Sequence, residues 1–508
     1  MRRQFRYKET RFKVWAAVAV AVNLCVASVC AAAPAVAEPP ASSSGTAIAI
    51  MQATSAIQAG DCEGALVPLN QLWHDPYLEQ NDPALAAQVR FQLIGCTLQT
   101  RGIAEALALS TENVSRARDI NAYDAHVFLQ LLNDQPDAAA TTLEAGMAKF
   151  PDQAPSLTDL SVIGVLLHFH DSQPARTLAL MNRLEEVHWQ IHNIAGRPLI
   201  GLLRLEGLRA SVKSNDTVHA DLYRAGLKTD SLFYVLSQGD ADISAADVPA
   251  LPVGPVIARE IDDVKRVVAS NPADLFSLSY LMTLEQTNNQ NSLALTQLEG
   301  ILALVDQYGL DKFGSPETYP ELLTTRAELL ANVGRYGDSG VAYEEGAKKL
   351  GAEKASPLML SYMNFLIDRG QEKTALALIP RIDLKGLDDG GKAMLVMNDA
   401  CAQGFLGDKA AFASDMKVLE GLGLLQIKPY LCAGDTESAA KALITAINDP
   451  ASRDEAIVFL QLGLSGLSYS ERDAKLVASM RALKQRPDVQ ASAKANRILI
   501  RSWDIRLH

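Results

Sequence analysis

Two stretches of this 508-residue sequence have the residue types and spacing for chemistry. His168-Phe169-His170 is followed, eighteen residues on, by His188-Trp189-Gln190-Ile191-His192, and four imidazoles form a donor set that suits zinc. His188 and His192 are spaced one helical turn apart and would share a face. The first pair is expected to end one helix and the second pair the next, so a helix of about 14 residues would hold the pairs roughly 20 Å apart. A shared ion is not expected. A two-histidine surface site at His188 and His192 is the remaining metal reading, against histidines that pack and cap near a helix end.

The second stretch, Gly386-Leu387-Asp388-Asp389-Gly390-Gly391-Lys392, has the spacing of a phosphate-binding loop, in which backbone N–H groups and the lysine hold a nucleotide. Ala393 stands where the magnesium-binding Ser or Thr belongs, and no buried strand precedes it. A linker between helices is expected instead. The sequence has no His-Glu-x-x-His, no Gly-x-Ser-x-Gly, and no Ser-x-x-Lys with its companion motifs. No nucleophile, base and orienting partner come together, so neither a catalytic residue nor a cofactor is expected.

The elements that must position these side chains are helices. Apolar spacing is helical nearly throughout, and alternating strands bounded by Asn-Gly or Asp-Gly turns are missing, which predicts an all-α protein. The composition is that of a folded chain, with 48% apolar, 21% charged and 6% aromatic residues. A net charge of -12 has the wrong sign for neutralising phosphates and excludes nucleic acid as the expected partner.

Residues 1–37 read as a secretory signal. Six basic residues between Arg2 and Lys13, offset only by Glu9, precede an uncharged run from Val14 to Ala37 that ends in the small-x-small site Ala35-Val36-Ala37. Cleavage is expected after Ala37. The alternative is an uncleaved anchor, which would be the only membrane contact, although the run is weakly apolar and Pro34 interrupts it. Either reading places the remainder in the periplasm or outside the cell. That remainder has 41 basic and 58 acidic residues, a net charge of -17. Such a surface favours solubility over adhesion to anionic lipid.

Helices also recur. Asn332-Val333-Gly334-Arg335-Tyr336 reads as a helix stop and a new start, followed by small or aromatic residues at Ser339, Tyr343 and Gly346. The series returns after Gly370 with Ala375, Ile379 and Ile382, and after Gly434 with Ala439, Leu443 and Ala446. It returns again after Gly60 with Ala65, Leu69 and Leu72, and after Asp134 with Ala139, Leu143 and Gly146. The helix before the turn keeps its face too, as in Leu323, Ala327 and Leu330, or Met359, Met363 and Leu366.

These residues resemble the tetratricopeptide repeat, a helix-turn-helix whose small residues let its two helices pack closely. The Trp, Leu-Gly and Tyr of that family's first helix are mostly missing, and Ser339 with Gly346 replaces the usual alanines. The resemblance covers about two thirds of the chain after residue 37 and implies a right-handed α-solenoid. Residues 38–45 read as a tether, 46–236 as an N-terminal solenoid, 237–255 as a Pro- and Gly-rich hinge that cannot continue a helix, and 256–508 as a C-terminal solenoid. Its last segment, 492–508, reads as a basic capping helix with Ile498, Leu499 and Trp503 inward and Arg497, Arg501 and Arg506 outward.

Beyond residue 37 the chain keeps four cysteines, Cys62, Cys96, Cys401 and Cys432, an even count that suggests disulfides and permits three connectivities. On the repeat reading, Cys62 and Cys96 lie at meeting ends of antiparallel helices, and Cys401 and Cys432 lie late in successive first helices. The Cys62–Cys96 pairing is favoured over small buried thiols, and Cys401–Cys432 is left open against them. Repeat superhelices typically hold a peptide or protein, so the expected function is a non-enzymatic periplasmic scaffold or adaptor with an envelope protein or peptide as partner. Tyr123, Phe128, Tyr362 and Phe365 are candidate contact residues, each weighed against a place in the core. The alternatives are an accessory subunit of polysaccharide synthesis or export and, in a different class, a peptidoglycan-cleaving enzyme carried on a helical superhelix.

Overall fold

The computed structural model describes residues 44–170, 172–191, 196–228, 230–244, 253–461 and 468–501. The signal segment 1–37, its cleavage site at Ala37 and most of the tether lie outside these residues. The described residues are all-helical, without a strand; only two isolated bridges, Asp240 with Ile498 and Asp274 with Gly314, break the pattern. Among the described residues no helix is long and apolar enough to cross a membrane. Contacts divide the chain into two compact units, one ending at Gly196 and one beginning at Arg197.

One device ends helix after helix. Gly60, Asp134, Gly334, Gly370 and Gly434, the five turns read from the sequence, have φ between 54° and 82°. In each, that residue's N–H donates to the carbonyl three residues back and the next N–H to the carbonyl five back, for example Gly334 to Ala331 and Arg335 to Leu330. This is the Schellman arrangement, which satisfies carbonyls that a helix end leaves without intrahelical partners. The same pair of bonds occurs at His188, Asn215, Asn289 and Gly407. At Asp61, Asp216, Asp408 and Asp435 the very next residue is already the N-cap of the following helix, its carboxylate accepting from that helix's first N–H groups. Reversal therefore takes two or three residues.

Five positions after the turn residue stand Ala65, Ala139, Ser339, Ala375 and Ala439, each fully buried. A small side chain there lets the second helix lie close against the first. Close approach recurs at Gly146, where a Cβ would sit 2.9 Å from the Tyr123 Cβ, and at Gly346, where it would sit 2.8 Å from a Leu358 methyl. Leu323, Ala327 and Leu330, and Met359, Met363 and Leu366, are buried on the facing helices as the periodicity predicts.

The first unit opens with helix Ser44–Gln58, so Ser44 and Gly45 are helical and not part of a tether. Cys62, the first residue of Cys62–Trp73, is bonded to Cys96 in Pro83–Thr100, with Cα atoms 4.9 Å apart. In the second unit Cys401 of Asp389–Leu406 is bonded to Cys432, the last residue of Ile427–Cys432, with Cα atoms 5.2 Å apart.

The second unit begins earlier than the sequence suggests. Helices Arg197–Ser214, Thr217–Leu227 and Ser231–Gly239 belong to it, and the units do not part at 237–255. Residues 245–252 lie outside the described set, but Val253, Gly254 and Pro255 open helix Val253–Ser270, where a first-turn proline loses no intrahelical bond. Residues 239–244 are fastened to the chain's end. Leu499 N donates to Gly239 O, and Ala241 N to Arg497 O, both at 2.9 Å. Asp240, 1% exposed, accepts from Arg209 at 3.0 Å and Arg453 at 3.3 Å, and Arg209 also reaches Asp454 at 2.6 Å. Burial opposes the charge on Arg209, but Asp454 and Asp240 outweigh it and hold its pKa above the ordinary value.

This clasp corrects the reading of 492–508 as one capping helix. Helix Pro487–Ala495 stops with Arg497 at φ 57°, and Ile498 turns inward to pair with Asp240, while Leu499 is 37% exposed. Trp503 and Arg506 lie outside the described residues.

The two bonds yield the first prediction. The chain without residues 1–37 should show no titratable thiol after denaturation and four after reduction, and reduction should lower the melting temperature. Each closed loop contributes on the order of 2 to 4 kcal/mol. Four free thiols without reductant would contradict the pairing.

Candidate functional site

His168, His170 and His188 form no metal-binding group. His168 lies in the last turn of Asp159–Phe169, its ring edge-on to Phe169 at 5.0 Å, and His170 follows as the C-cap. Helix Pro174–Glu186 ends before His188, which takes the left-handed turn position at φ 57° with its N–H on Glu185 O. His188 therefore does not continue a helical face toward position 192, and His192 lies outside the described residues. The sequence spacing misled because a histidine here serves as a helix stop normally given to Gly or Asn. No group of three or more metal-ligating side chains occurs among the described residues.

The glycine-rich stretch does not form a phosphate cradle either. Asp388 caps Asp389–Leu406, its carboxylate accepting from Gly391 N at 2.7 Å, so an acid already occupies the helix N-terminus that a phosphate would need. Lys392 points back to Asp389 at 3.8 Å.

The aromatic candidates fall into two environments. Tyr123 packs between helices, against Gly146 and edge-on to Phe150 at 6.0 Å, and Phe128 is half-buried on the same helix. Tyr362 and Phe365 join a larger cluster. Tyr343 stacks on Tyr362 at 4.9 Å and lies 5.9 Å from Phe365, which is buried. What covers Phe365 is the chain's own Tyr469, 5.8 Å from it and 6.0 Å from Tyr336. Sequence reasoning missed Tyr469, Tyr336 and Glu372, because a contact across some hundred residues leaves no local pattern. The one local signal is Ser470-Glu471-Arg472-Asp473, a capping box: Ser470 Oγ accepts from Asp473 N at 3.1 Å while Asp473 accepts from Tyr469 N at 2.9 Å.

Around Tyr469 the bonds are specific. Its hydroxyl donates to Asn332 Oδ1 at 2.6 Å, and its carbonyl accepts from Arg369 at 2.6 Å. Ser470 Oγ donates to the Asp368 carbonyl, and Arg472 pairs with Glu372 while lying over the Phe405 ring at 5.0 Å. A cleft of about 470 Å³ between Tyr336–Leu350 and Ala352–Asp368 is bridged by Arg381, which grips both oxygens of Glu344 at 3.0 and 2.7 Å.

The second unit also buries acids. Glu260, fully buried, accepts from Ser231 N at 3.0 Å and from the Tyr280 hydroxyl. Burial raises the Asp230 pKa, and the Glu260 charge raises it further, against the Phe233 N–H and the guanidinium groups of Arg197 and Arg204. Burial and neighbouring Glu321 push Glu328 from 4.5 up to about 7, against a smaller lowering by nearby Gln286. Burial and Asp399 push Asp415 up to about 6.

Comparison with protein-family models and with curated protein sequences finds no match.

The raised carboxyl of Glu328 yields the second prediction. A folded-state pKa above the unfolded one makes folding favourable at low pH and less so as pH rises through about 7. Glu328→Gln should therefore melt at a higher temperature than the parent at about pH 8 and at nearly the same temperature at about pH 5. An equal difference at both pH values would contradict the shift.

Proposed function

We propose that this chain is an exported, non-enzymatic scaffold of tetratricopeptide-like helix pairs arranged as an α-solenoid, which holds a protein or peptide partner in the cell envelope. The observation that carries the reading is repetition. The same helix stop, followed five residues later by the same buried small side chain, recurs in both units and makes stacked pairs of similar geometry. Such pairs present row upon row of side chains at fixed spacing, which suits recognition of an extended segment.

Export is supported by the basic start and uncharged Ala/Val run of residues 1–37, and by two disulfides of a kind that persists in oxidising compartments. The acidic surface favours a partner with basic or neutral contact groups.

In-cell crosslinking followed by purification from envelope extracts should recover a discrete partner. Deleting either unit should abolish that recovery, while Ala replacement of His168, His188 or Asp399 should leave it within about twofold, because affinity on such surfaces is spread over several anchors. Complete loss from one of those replacements, in a protein still folded and exported, would point to catalysis and contradict the reading.

A further inference from the structure

The patch around Tyr469 combines a preformed receiving face with an occupant from a distant part of the chain. The face is built from helix ends: Asn332 and Tyr336 flank the Gly334 turn, and Asp368, Arg369 and Glu372 flank the Gly370 turn. Its polar groups are anchored without the occupant. Asn332 Nδ2 donates to Asn291 at 3.2 Å, which orients its Oδ1 outward. The Asp368 carboxylate is held by Lys428 at 3.0 Å and Asn364 at 3.0 Å, and Arg369 lies flat over the Tyr336 ring at 4.2 Å. Tyr362 stacks on both Tyr343 and Phe365, and Tyr343 lies tilted against Phe365.

Each remaining functional group of that face meets one feature of the occupant. The aromatic slot between Tyr336 and Phe365 takes the Tyr469 ring, and Asn332 takes its hydroxyl. Arg369 takes the Tyr469 carbonyl, the Asp368 carbonyl takes the Ser470 hydroxyl, and Glu372 takes the Arg472 guanidinium. This is a side-chain reading of Tyr-Ser-x-Arg, one pocket or bond per residue, with Glu471 left exposed. The Arg472 side chain remains 44% exposed, and the occupant's polar contacts are hydrogen bonds and an ion pair. Bonds of that type are exchangeable, whereas core packing is not.

We propose that this face is a peptide-recognition site for a Tyr-Ser-x-Arg segment of a partner protein, and that residues 469–472 are an intramolecular ligand which occupies it until the partner's segment displaces them. The proposal rests on the partner-binding reading above and names the chemistry that the partner must offer. The chain's own segment acts at an effective concentration in the millimolar range, about the value for a short tether, so it suppresses weak ligands and admits only a partner that binds more tightly or at several points.

The probe is a fluorescent synthetic peptide of this chain's residues 468–473, Ser-Tyr-Ser-Glu-Arg-Asp, measured by anisotropy against the chain lacking residues 1–37. The double variant Tyr469→Ala/Arg472→Ala should bind the peptide at least about tenfold more tightly than the parent, since it has lost its internal competitor. Adding Glu372→Arg to that variant should abolish binding, and a peptide with Glu in place of Arg should restore it. A folded double variant that binds the peptide no better than the parent, or that binds a scrambled sequence equally, overturns the proposal. Should the double variant not fold, amide exchange on the parent decides. Exchange over 468–473 should accelerate with about 1 mM peptide, and an unchanged rate overturns the proposal. These results read the site alone, so their failure leaves envelope crosslinking to judge the scaffold reading separately.

Discussion

The helix pairs of this fold depend on ending a helix and starting the next within two or three residues. A helix end leaves carbonyls without partners, and an antiparallel neighbour must follow at once if its apolar stripe is to be covered. Placing one residue at positive φ satisfies both needs. It returns two N–H groups to the helix just finished and aims the chain backward, where an aspartate at Asp61, Asp216, Asp408 or Asp435 caps the helix that follows. At the five turns read from the sequence this geometry is the same, and the residue five positions on is buried between the helices. Only Ala or Ser fits there at 65, 139, 339, 375 and 439.

That dependence explains what the sequence reveals. Glycine followed five residues on by a small residue is a local signal with a local cause, and the pairs at Gly60, Gly334, Gly370 and Gly434 are legible from it, with an N-capping aspartate added after Gly60 and Gly434. The helix stops at Asn215 and Asn289 use the same bonds with asparagine, which also tolerates positive φ; reading Asn as readily as Gly would have found them. His188 departs further, and its neighbours then mimic a metal-binding spacing that the backbone does not support. The cysteines were legible for a related reason, since their spacing matches the repeat that brings their helices together.

What local patterns cannot carry is the closure of the second unit. Arg209, Asp240, Arg453 and Asp454 come from opposite ends of it, and Ile498 leaves its helix to pair with Asp240. Gly239 permits this approach, since a Cβ there would lie 2.5 Å from an Ile457 methyl. The same holds for Tyr469, whose docking makes Phe365 a covered residue although its helical position reads as a candidate contact. Both features are long-range pairings of charged or aromatic groups, for which one sequence offers many equivalent partners. The all-helical class was therefore readable, while the patch around Tyr469 became visible only in three dimensions.

The central claim is that positive-φ turns, rather than glycine content or helix propensity, hold the helix pairs in place. It is tested most directly by chemical denaturation of two single variants. Gly434, at φ 76° with open space around it, should lose at least about 1 to 2 kcal/mol on Gly434→Val, because a branched side chain is strained in the left-handed region. Gly300, exposed inside helix Asn291–Tyr308 and equally uncrowded, should gain about 0.5 to 1 kcal/mol on Gly300→Ala, since alanine favours the helix. Opposite signs are the predicted result. A Gly434→Val chain as stable as the parent would contradict the account.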